Sequence, residues 1–106
     1  MHIDFKCSGG FANLQLTYRA DTQELPPELA QELLSLVASS NFFEIQPAQV
    51  APQAAGPPDV FFYSLSLSDG SRQKFLAFND VTAPASLQTL LRRLRSLAIA
   101  QLRQRK

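Results

Sequence analysis

The chain has 106 residues, 45% of them hydrophobic, and ten lysine or arginine residues against nine aspartate or glutamate residues give a net charge of +1. This length suits one domain with one core, and the hydrophobic share excludes a wholly disordered chain. The near balance of charge argues against a dedicated nucleic-acid-binding protein. We therefore expect residues 1–106 to form a single domain that does not bind nucleic acid.

The chain contains one cysteine, Cys7, and one histidine, His2. A lone cysteine cannot form an intrachain disulfide, and these two side chains are too few for a His/Cys metal cage. No apolar run approaches the roughly 18 residues of a membrane span, and Asp4 and Lys6 interrupt the N-terminus with charge. We expect a cytoplasmic monomer with no cofactor, no metal ion of its own and no membrane association.

Charge is distributed unevenly along the chain. Residues 1–59 hold seven acidic and two basic side chains, whereas residues 60–106 hold two acidic and eight basic ones. The last six cations are Arg92, Arg93, Arg95, Arg103, Arg105 and Lys106. They form either a basic face for an acidic partner or a solvated helix face whose cations suit the C-terminal end of the helix dipole.

The first strands are predicted from alternating apolar residues. Ile3, Phe5 and Cys7 share one face, and the glycines of Ser8-Gly9-Gly10 permit a turn. Alternation resumes from Phe11 to Arg19, so the two segments are predicted to form a hairpin. The inward residues of the second strand are Leu14, Leu16 and Tyr18.

A helix is predicted after Pro26-Pro27, because proline is tolerated in a first helical turn. Its apolar stripe consists of Leu29, Leu33, Leu36 and Val37. Asn41 suits a left-handed cap, after which Phe42 and Phe43 are expected to enter the core. Residues 44–59 are rich in proline and alanine and lack periodicity, which favours a mobile linker over a functional loop.

Two further strands and a helix complete the chain. Phe61, Tyr63, Leu65 and Leu67 alternate with Ser64, Ser66 and Ser68, and Asp69-Gly70 predicts a hairpin turn into a strand over residues 72–79. The apolar run 75–78 does not determine which residues face inward. A helix is predicted over residues 84–103, with Pro84 in its first turn and a basic tail at 103–106.

The element order is therefore ββαββα, which predicts an α+β domain with a four-stranded antiparallel sheet and two helices packed on one face. Strand orders 2-1-3-4 and 1-2-4-3 both satisfy the chain directions. Either order brings the glycine turn and Asp80, which follows the fourth strand, to the same edge of the sheet.

Motifs for catalysis are absent from the sequence. It contains no glycine-rich phosphate loop, HExxH pair or GxSxG elbow. Cys7 lies in the middle of a predicted strand, where a buried structural thiol is expected rather than a nucleophile. We expect a protein that is not an enzyme.

An ordered set of short motifs resembles the emfourin family over about residues 2–97. These motifs are His2-Ile3, Ser8-Gly9-Gly10-Phe11-Ala12, Leu25-Pro26-Pro27-Glu28, Asn41-Phe42-Phe43, Asp59, the strand around Tyr63, Asp69-Gly70, and Asp80 followed by Pro84 and Leu87. The resemblance implies a bacterial inhibitor of thermolysin-like, in particular protealysin-like, zinc metalloproteases. It also implies that two neighbouring loops block the active site, one with an aspartate that reaches the zinc and one with apolar side chains in substrate pockets.

By matching motif, Asp80 and the adjacent Val81 are the candidates for the zinc-reaching loop. The apolar loop would be Gly9, Gly10, Phe11 and Ala12, with Phe11 as the anchor. Local alternatives stay open: Asp80 would suit an Asx-type turn or a helix N-terminus, and Phe11 would suit the core. The alternative function is a small adaptor domain that binds an acidic partner through its basic final helix.

Overall fold

The computed structural model describes residues 1–9, 14–50, 61–80 and 82–104. Its strands form one antiparallel sheet in the order β2-β1-β3-β4, which is one of the two predicted orders. The strands are β1 (His2–Gly9), β2 (Leu14–Asp21), β3 (Phe61–Asp69) and β4 (Arg72–Asn79). The first strand pairs with both β2 and β3, so it is central together with β3.

Two main helices accompany the sheet, and the α+β class with the order ββαββα is confirmed. The helices are α1 (Pro27–Ser40), α2 (Pro47–Val50) and α3 (Gln88–Gln104), with 3₁₀ turns at Thr22–Glu24, Phe42–Glu44 and Ala85–Leu87. Pro84 was predicted in the first turn of α3, and this is wrong. It precedes the 3₁₀ turn Ala85–Leu87 as its N-cap. No helix in the described ranges is long and apolar enough to cross a membrane.

One face of the sheet carries the core. The alternation predicted for the strands is confirmed by the burial of Ile3, Phe5, Cys7, Leu16, Tyr18, Tyr63, Leu65 and Leu67. The two main helices cover this face with Leu33 and Val37 from α1 and with Leu90, Leu91, Leu94 and Ala98 from α3. The predicted packing of the last helix is therefore confirmed.

The β3–β4 turn settles which residues of β4 face inward. Asp69 pairs with Arg72, so the two-residue loop consists of Gly70 and Ser71. Gly70 has a φ of 61°, and a positive φ at the first loop position only is the type II′ pattern that favours glycine there. This register places Leu76 and Phe78 in the core and leaves Phe75 exposed.

The end of α1 follows the prediction, but the segment after it does not. Asn41 adopts the left-handed conformation with a φ of 56°, and Phe42 is fully buried. The prediction of a linker from residue 44 is wrong for its first part, because Pro47–Val50 forms α2. Ile45 and Val50 both reach the core. Two buried apolar residues around a single helical turn are too few to give the sequence a helical periodicity. The rest of the predicted linker, residues 51–59, lies outside the described ranges.

Candidate functional site

At one end of the sheet β1 ends at Gly9, β3 begins at Phe61, and Asp80 directly follows β4; we call this end the upper edge. Gly9, the last residue of β1, pairs with Phe61, the first residue of β3. The Asp80 amide, just beyond β4, donates to the Phe61 carbonyl at 3.2 Å. The topology therefore brings Gly9 and Asp80 to the same edge, as the chain directions predict.

The Asp80 side chain is exposed, and both of its carboxylate oxygens accept hydrogen bonds from β3. The Tyr63 hydroxyl donates to Oδ1 at 2.7 Å, and the Phe61 amide donates to Oδ2 at 3.1 Å. Because the donors lie 17 and 19 residues away in sequence, the carboxylate is not the acceptor of a local turn. Two donors on one strand fix the orientation of the carboxylate plane.

The local turn that Asp80 could have formed is made by its neighbours. The Asn79 amide donates to Thr82 Oγ1 at 3.0 Å, and the Thr82 amide donates to Asn79 Oδ1 at 2.9 Å. Asn79 is buried, whereas Asp80 points its carboxylate toward β3 at the surface. The local turn is therefore closed by reciprocal hydrogen bonds between Asn79 and Thr82, and the Asp80 carboxylate takes no part in them.

The partner of Asp80 that the sequence did not reveal is Tyr63, which the alternation pattern assigned only to a strand. Its side chain is only 4% exposed, and its ring stacks between Phe5 and Phe78 with centroid distances of 6.2 and 5.6 Å. Burial raises the Tyr63 pKa well above its ordinary range, and the hydrogen bond to Asp80 and the Asp80 charge raise it further. The hydroxyl therefore stays protonated and remains a donor. A tyrosine in a buried strand position needs such a partner, and this requirement could have signalled the pair.

The surroundings of Asp80 differ from those of the other described aspartates. Asp4 pairs with Arg19 at 3.3 Å, Asp69 pairs with Arg72 at 2.9 Å, and Asp21 lies 3.9 Å from the terminal amine. Within the described ranges, Asp80 has no cation within 4 Å. Its two donors are neutral, so they orient the carboxylate without cancelling its charge.

The carboxylate keeps acceptor capacity at this exposed position. An ionised carboxylate offers about four lone-pair sites, of which the two hydrogen bonds use two. Carboxylate oxygens are competent zinc ligands at about 2.0–2.2 Å. Among the described residues, no group of three histidine, cysteine or acidic side chains could hold a metal ion within this chain. The Asp80 carboxylate can therefore accept further hydrogen bonds or provide one ligand to a metal ion.

The remaining predicted site residues are only partly described. Gly9 has a φ of 113°, which lies in the left-handed region that favours glycine. Gly10, Phe11, Ala12 and Val81 lie outside the described residues. Cys7 is buried beneath the upper edge, and burial raises its pKa, with Arg95 acting in the opposite direction. These properties fit the predicted structural thiol.

The cations of the last helix do not form one uniform face. Arg93 Nε lies 2.9 Å from Glu32 Oε2 on α1, within ion-pair distance although not aligned as a hydrogen-bond donor. The Arg95 guanidinium lies 5.2 Å from the centroid of the Phe61 ring. Arg92 and Arg103 are exposed, and Arg105 and Lys106 lie outside the described residues. Two of the four described cations are thus engaged within the chain.

The fold is thus a small α+β domain whose upper edge carries an exposed carboxylate with two neutral donors and no cation within 4 Å among the described residues. A sequence model of the emfourin family matches residues 5–95, and the chain belongs to this family. Emfourins are an inhibitor family, so membership supports a protease-inhibitor-type role, a protease as partner and a function other than catalysis. No match was found among curated proteins or solved structures.

Proposed function

We propose that this protein inhibits a thermolysin-like zinc metalloprotease of the protealysin-like kind, and that Asp80 supplies the ligand that replaces the zinc-bound water. The observation that carries the proposal is the state of the Asp80 carboxylate. It is exposed, held by Tyr63 and Phe61, and free of any cationic partner among the described residues. The remaining aspartates of the described ranges lack this combination.

The chemistry of a catalytic zinc site favours such a ligand. These sites use three protein ligands and keep a fourth position open for water or substrate. An anionic oxygen can occupy that position, and an orientation fixed before binding reduces the ordering cost of the complex. A single carboxylate does not extract the metal, so inhibition would proceed by blocking the site with the zinc in place.

The second loop would be the turn that contains Gly9, Gly10, Phe11 and Ala12, with Phe11 as an apolar anchor in a substrate pocket. The position of Gly9, the described residue of this turn, supports the proposal. Gly9 pairs with Phe61, and Phe61 exchanges hydrogen bonds with Asp80. Val81 directly follows Asp80 and would contact the protease beside it. Two such loops side by side would fill the zinc position and a neighbouring pocket together.

The proposal is tested by measuring inhibition constants for Asp80→Asn against a protealysin-like zinc protease. Asparagine can accept from the Phe61 amide through Oδ1 and donate to the Tyr63 oxygen through Nδ2, so the fold is kept while the anionic ligand is lost. We expect inhibition to weaken at least tenfold, or about 1.4 kcal/mol. The matched control is Asp69→Asn at the opposite end of the same hairpin, which should change inhibition less than about twofold, well under 1 kcal/mol.

Wild-type inhibition by Asp80→Asn would contradict the zinc-ligand assignment and make Asp59 and Asp21 the next carboxylates to test. Asp21 caps the 3₁₀ turn at Thr22–Glu24, and Asp59 lies outside the described residues. Salt separates this proposal from binding through the basic helix. Binding through six cations should weaken steeply with ionic strength, whereas zinc ligation and apolar contacts should weaken little.

A further inference from the structure

We propose that Tyr63 is a positioning residue for inhibition, which acts by fixing the direction in which Asp80 presents its carboxylate. This inference rests on the proposed function, because it concerns how the zinc-reaching side chain is held. Tyr63 itself is nearly fully buried, so it has no surface with which to contact a protease directly. Its influence would pass through one hydrogen bond, from its hydroxyl to Asp80 Oδ1 at 2.7 Å.

The hydroxyl is held in place by the core. Tyr63 lies on the central strand β3, where it is paired with Cys7 on one side and Phe78 on the other. Its ring stacks on Phe78 and on Phe5, and the three side chains are at most 4% exposed. The ring cannot shift without disturbing these contacts, so its donor points to one fixed position at the upper edge.

Each carboxylate oxygen of Asp80 accepts a hydrogen bond from a different donor. The backbone amide of Phe61 holds Oδ2, and the Tyr63 hydroxyl holds Oδ1. With both donors, a change in the Cα–Cβ or the Cβ–Cγ torsion of Asp80 breaks two hydrogen bonds. With the amide alone, the same change breaks only one, so other rotamers of the side chain become more populated. A metal ligand needs a defined direction for its free lone pair, so the second donor matters for binding.

The choice of tyrosine has a further consequence for charge. An arginine at this position would also orient the carboxylate, but it would pair with it and compete with a zinc ion for the negative charge. A phenolic hydroxyl donates one hydrogen bond and brings no positive charge. Tyr63 thus orients the carboxylate without forming an ion pair with it.

The test compares two tyrosine variants that each remove one hydroxyl from the same core. Tyr63→Phe keeps the stacked ring, and Tyr18→Phe is the matched control, since Tyr18 is 5% exposed on β2 and makes no hydrogen bond to Asp80. Inhibition constants are measured for both with a protealysin-like zinc protease. We expect Tyr63→Phe to weaken inhibition about fivefold or more and Tyr18→Phe to leave it unchanged.

A double-mutant cycle separates positioning from a general structural role. In an Asp80→Ala background the Tyr63 hydroxyl has no carboxylate to orient, so Tyr63→Phe should cause no further loss of inhibition. An equal loss in both backgrounds would overturn the positioning role. NMR of the free protein gives a readout without protease: three-bond couplings of Asp80 should show one χ1 rotamer in the wild type and averaging in Tyr63→Phe, and unchanged couplings would also contradict the inference.

The two proposals fail in different ways. If Asp80→Ala weakens inhibition and Tyr63→Phe does not, the zinc-ligand proposal stands and the positioning role of Tyr63 is wrong. If Asp80→Ala inhibits as well as the wild type, the zinc-ligand proposal is wrong, whatever Tyr63→Phe does.

Discussion

The β3–β4 hairpin carries an aspartate at each end, and the two carboxylates are held in opposite ways. Asp69, beside the Gly70–Ser71 turn, accepts from Arg72 three residues away at 2.9 Å, and both side chains are exposed. Asp80, at the upper edge, accepts from a buried hydroxyl and a backbone amide of β3. The first carboxylate is neutralised by a neighbour, and the second is oriented by the core.

The two environments leave the carboxylates with different charge and orientation: Asp69 forms an ion pair, and Asp80 is held by two neutral donors. An exposed ion pair between near neighbours contributes little to stability, and it offers no net charge to a partner. A carboxylate held by neutral donors keeps its charge and its direction. Both aspartates lie near a strand end, so position does not distinguish them. Asp80 differs from Asp69 because its donors are neutral.

The largest expected effect comes from removing the core support of the upper edge. Phe78→Ala should lower the free energy of unfolding by about 3–5 kcal/mol, because Phe78 is fully buried and stacks on Tyr63. Phe75→Ala is the control on the same strand; its ring is 58% exposed, so the change should stay within about 0.5 kcal/mol. Urea unfolding measures both, and equal losses would contradict the inward register assigned to β4.

A smaller effect on stability is expected when the two aspartates are truncated. Asp80→Ala leaves the Tyr63 hydroxyl and the Phe61 amide without their partner and should cost about 1–2 kcal/mol. Asp69→Ala removes an exposed ion pair and should cost about 0–1 kcal/mol. Thermal unfolding of the two variants tests this order, and a larger loss for Asp69→Ala would refute the contrast between the two ends.

Alkaline pH should lower the free energy of unfolding. Burial raises the pKa of Tyr63, of Tyr18 and of Cys7, so the folded protein holds these protons at pH values where the unfolded chain has released them. Stability should be complete below about pH 9 and should fall as pH rises further, by at most about 1.4 kcal/mol per pH unit for each group.

Variants assign this alkaline fall to individual side chains. Tyr63→Phe should flatten it more than Tyr18→Phe, because Asp80 adds to the effect of burial on the pKa of Tyr63 and does not act on Tyr18. Chemical denaturation from pH 7 to 11 provides the measurement. The same slope for both variants would show that Asp80 does not stabilise the protonated hydroxyl.

The smallest effect is expected at the lower end of the hairpin. Arg72 pairs with Asp69 and lies 4.4 Å from the centroid of the Phe43 ring, and its side chain is 59% exposed. Arg72→Ala should therefore cost no more than about 1 kcal/mol, and part of that cost should disappear in 1 M salt. Inhibition should be unchanged, since this end of the sheet lies away from Asp80.

Strong periodicity made most of the fold predictable. The alternation in β1 and β3 and the stripe in α3 each involve several apolar residues, so the sheet and the two main helices followed from sequence. The strand order was narrowed to two possibilities, one of which the structure has. The facing of β4 did not, because residues 75–78 are all apolar and one extra turn residue reverses them. The short α2 was missed because only Ile45 and Val50 anchor that segment.

For the candidate site, the position of Asp80 in the fold was predictable from the sequence, but its hydrogen bond with Tyr63 was not. Chain direction alone places Asp80 at the same end of the sheet as Gly9, so this part of the location could be deduced. The hydrogen bond from Tyr63 depends on the exact pairing of Phe62 with Asn79 and of Tyr63 with Phe78. Register at that precision is a tertiary property, and a sequence pattern with period two does not contain it.

The proposed zinc-ligand role of Asp80 is tested most directly by binding to one protealysin-like zinc protease with and without its metal. Dissociation constants are measured by calorimetry for the wild type and Asp80→Asn on the zinc-loaded and the zinc-free enzyme. We predict a loss of at least tenfold for Asp80→Asn on the zinc-loaded enzyme, or about 1.4 kcal/mol, and a loss of less than about twofold on the zinc-free enzyme. Equal losses on both forms would show that Asp80 contacts the protease without reaching its zinc.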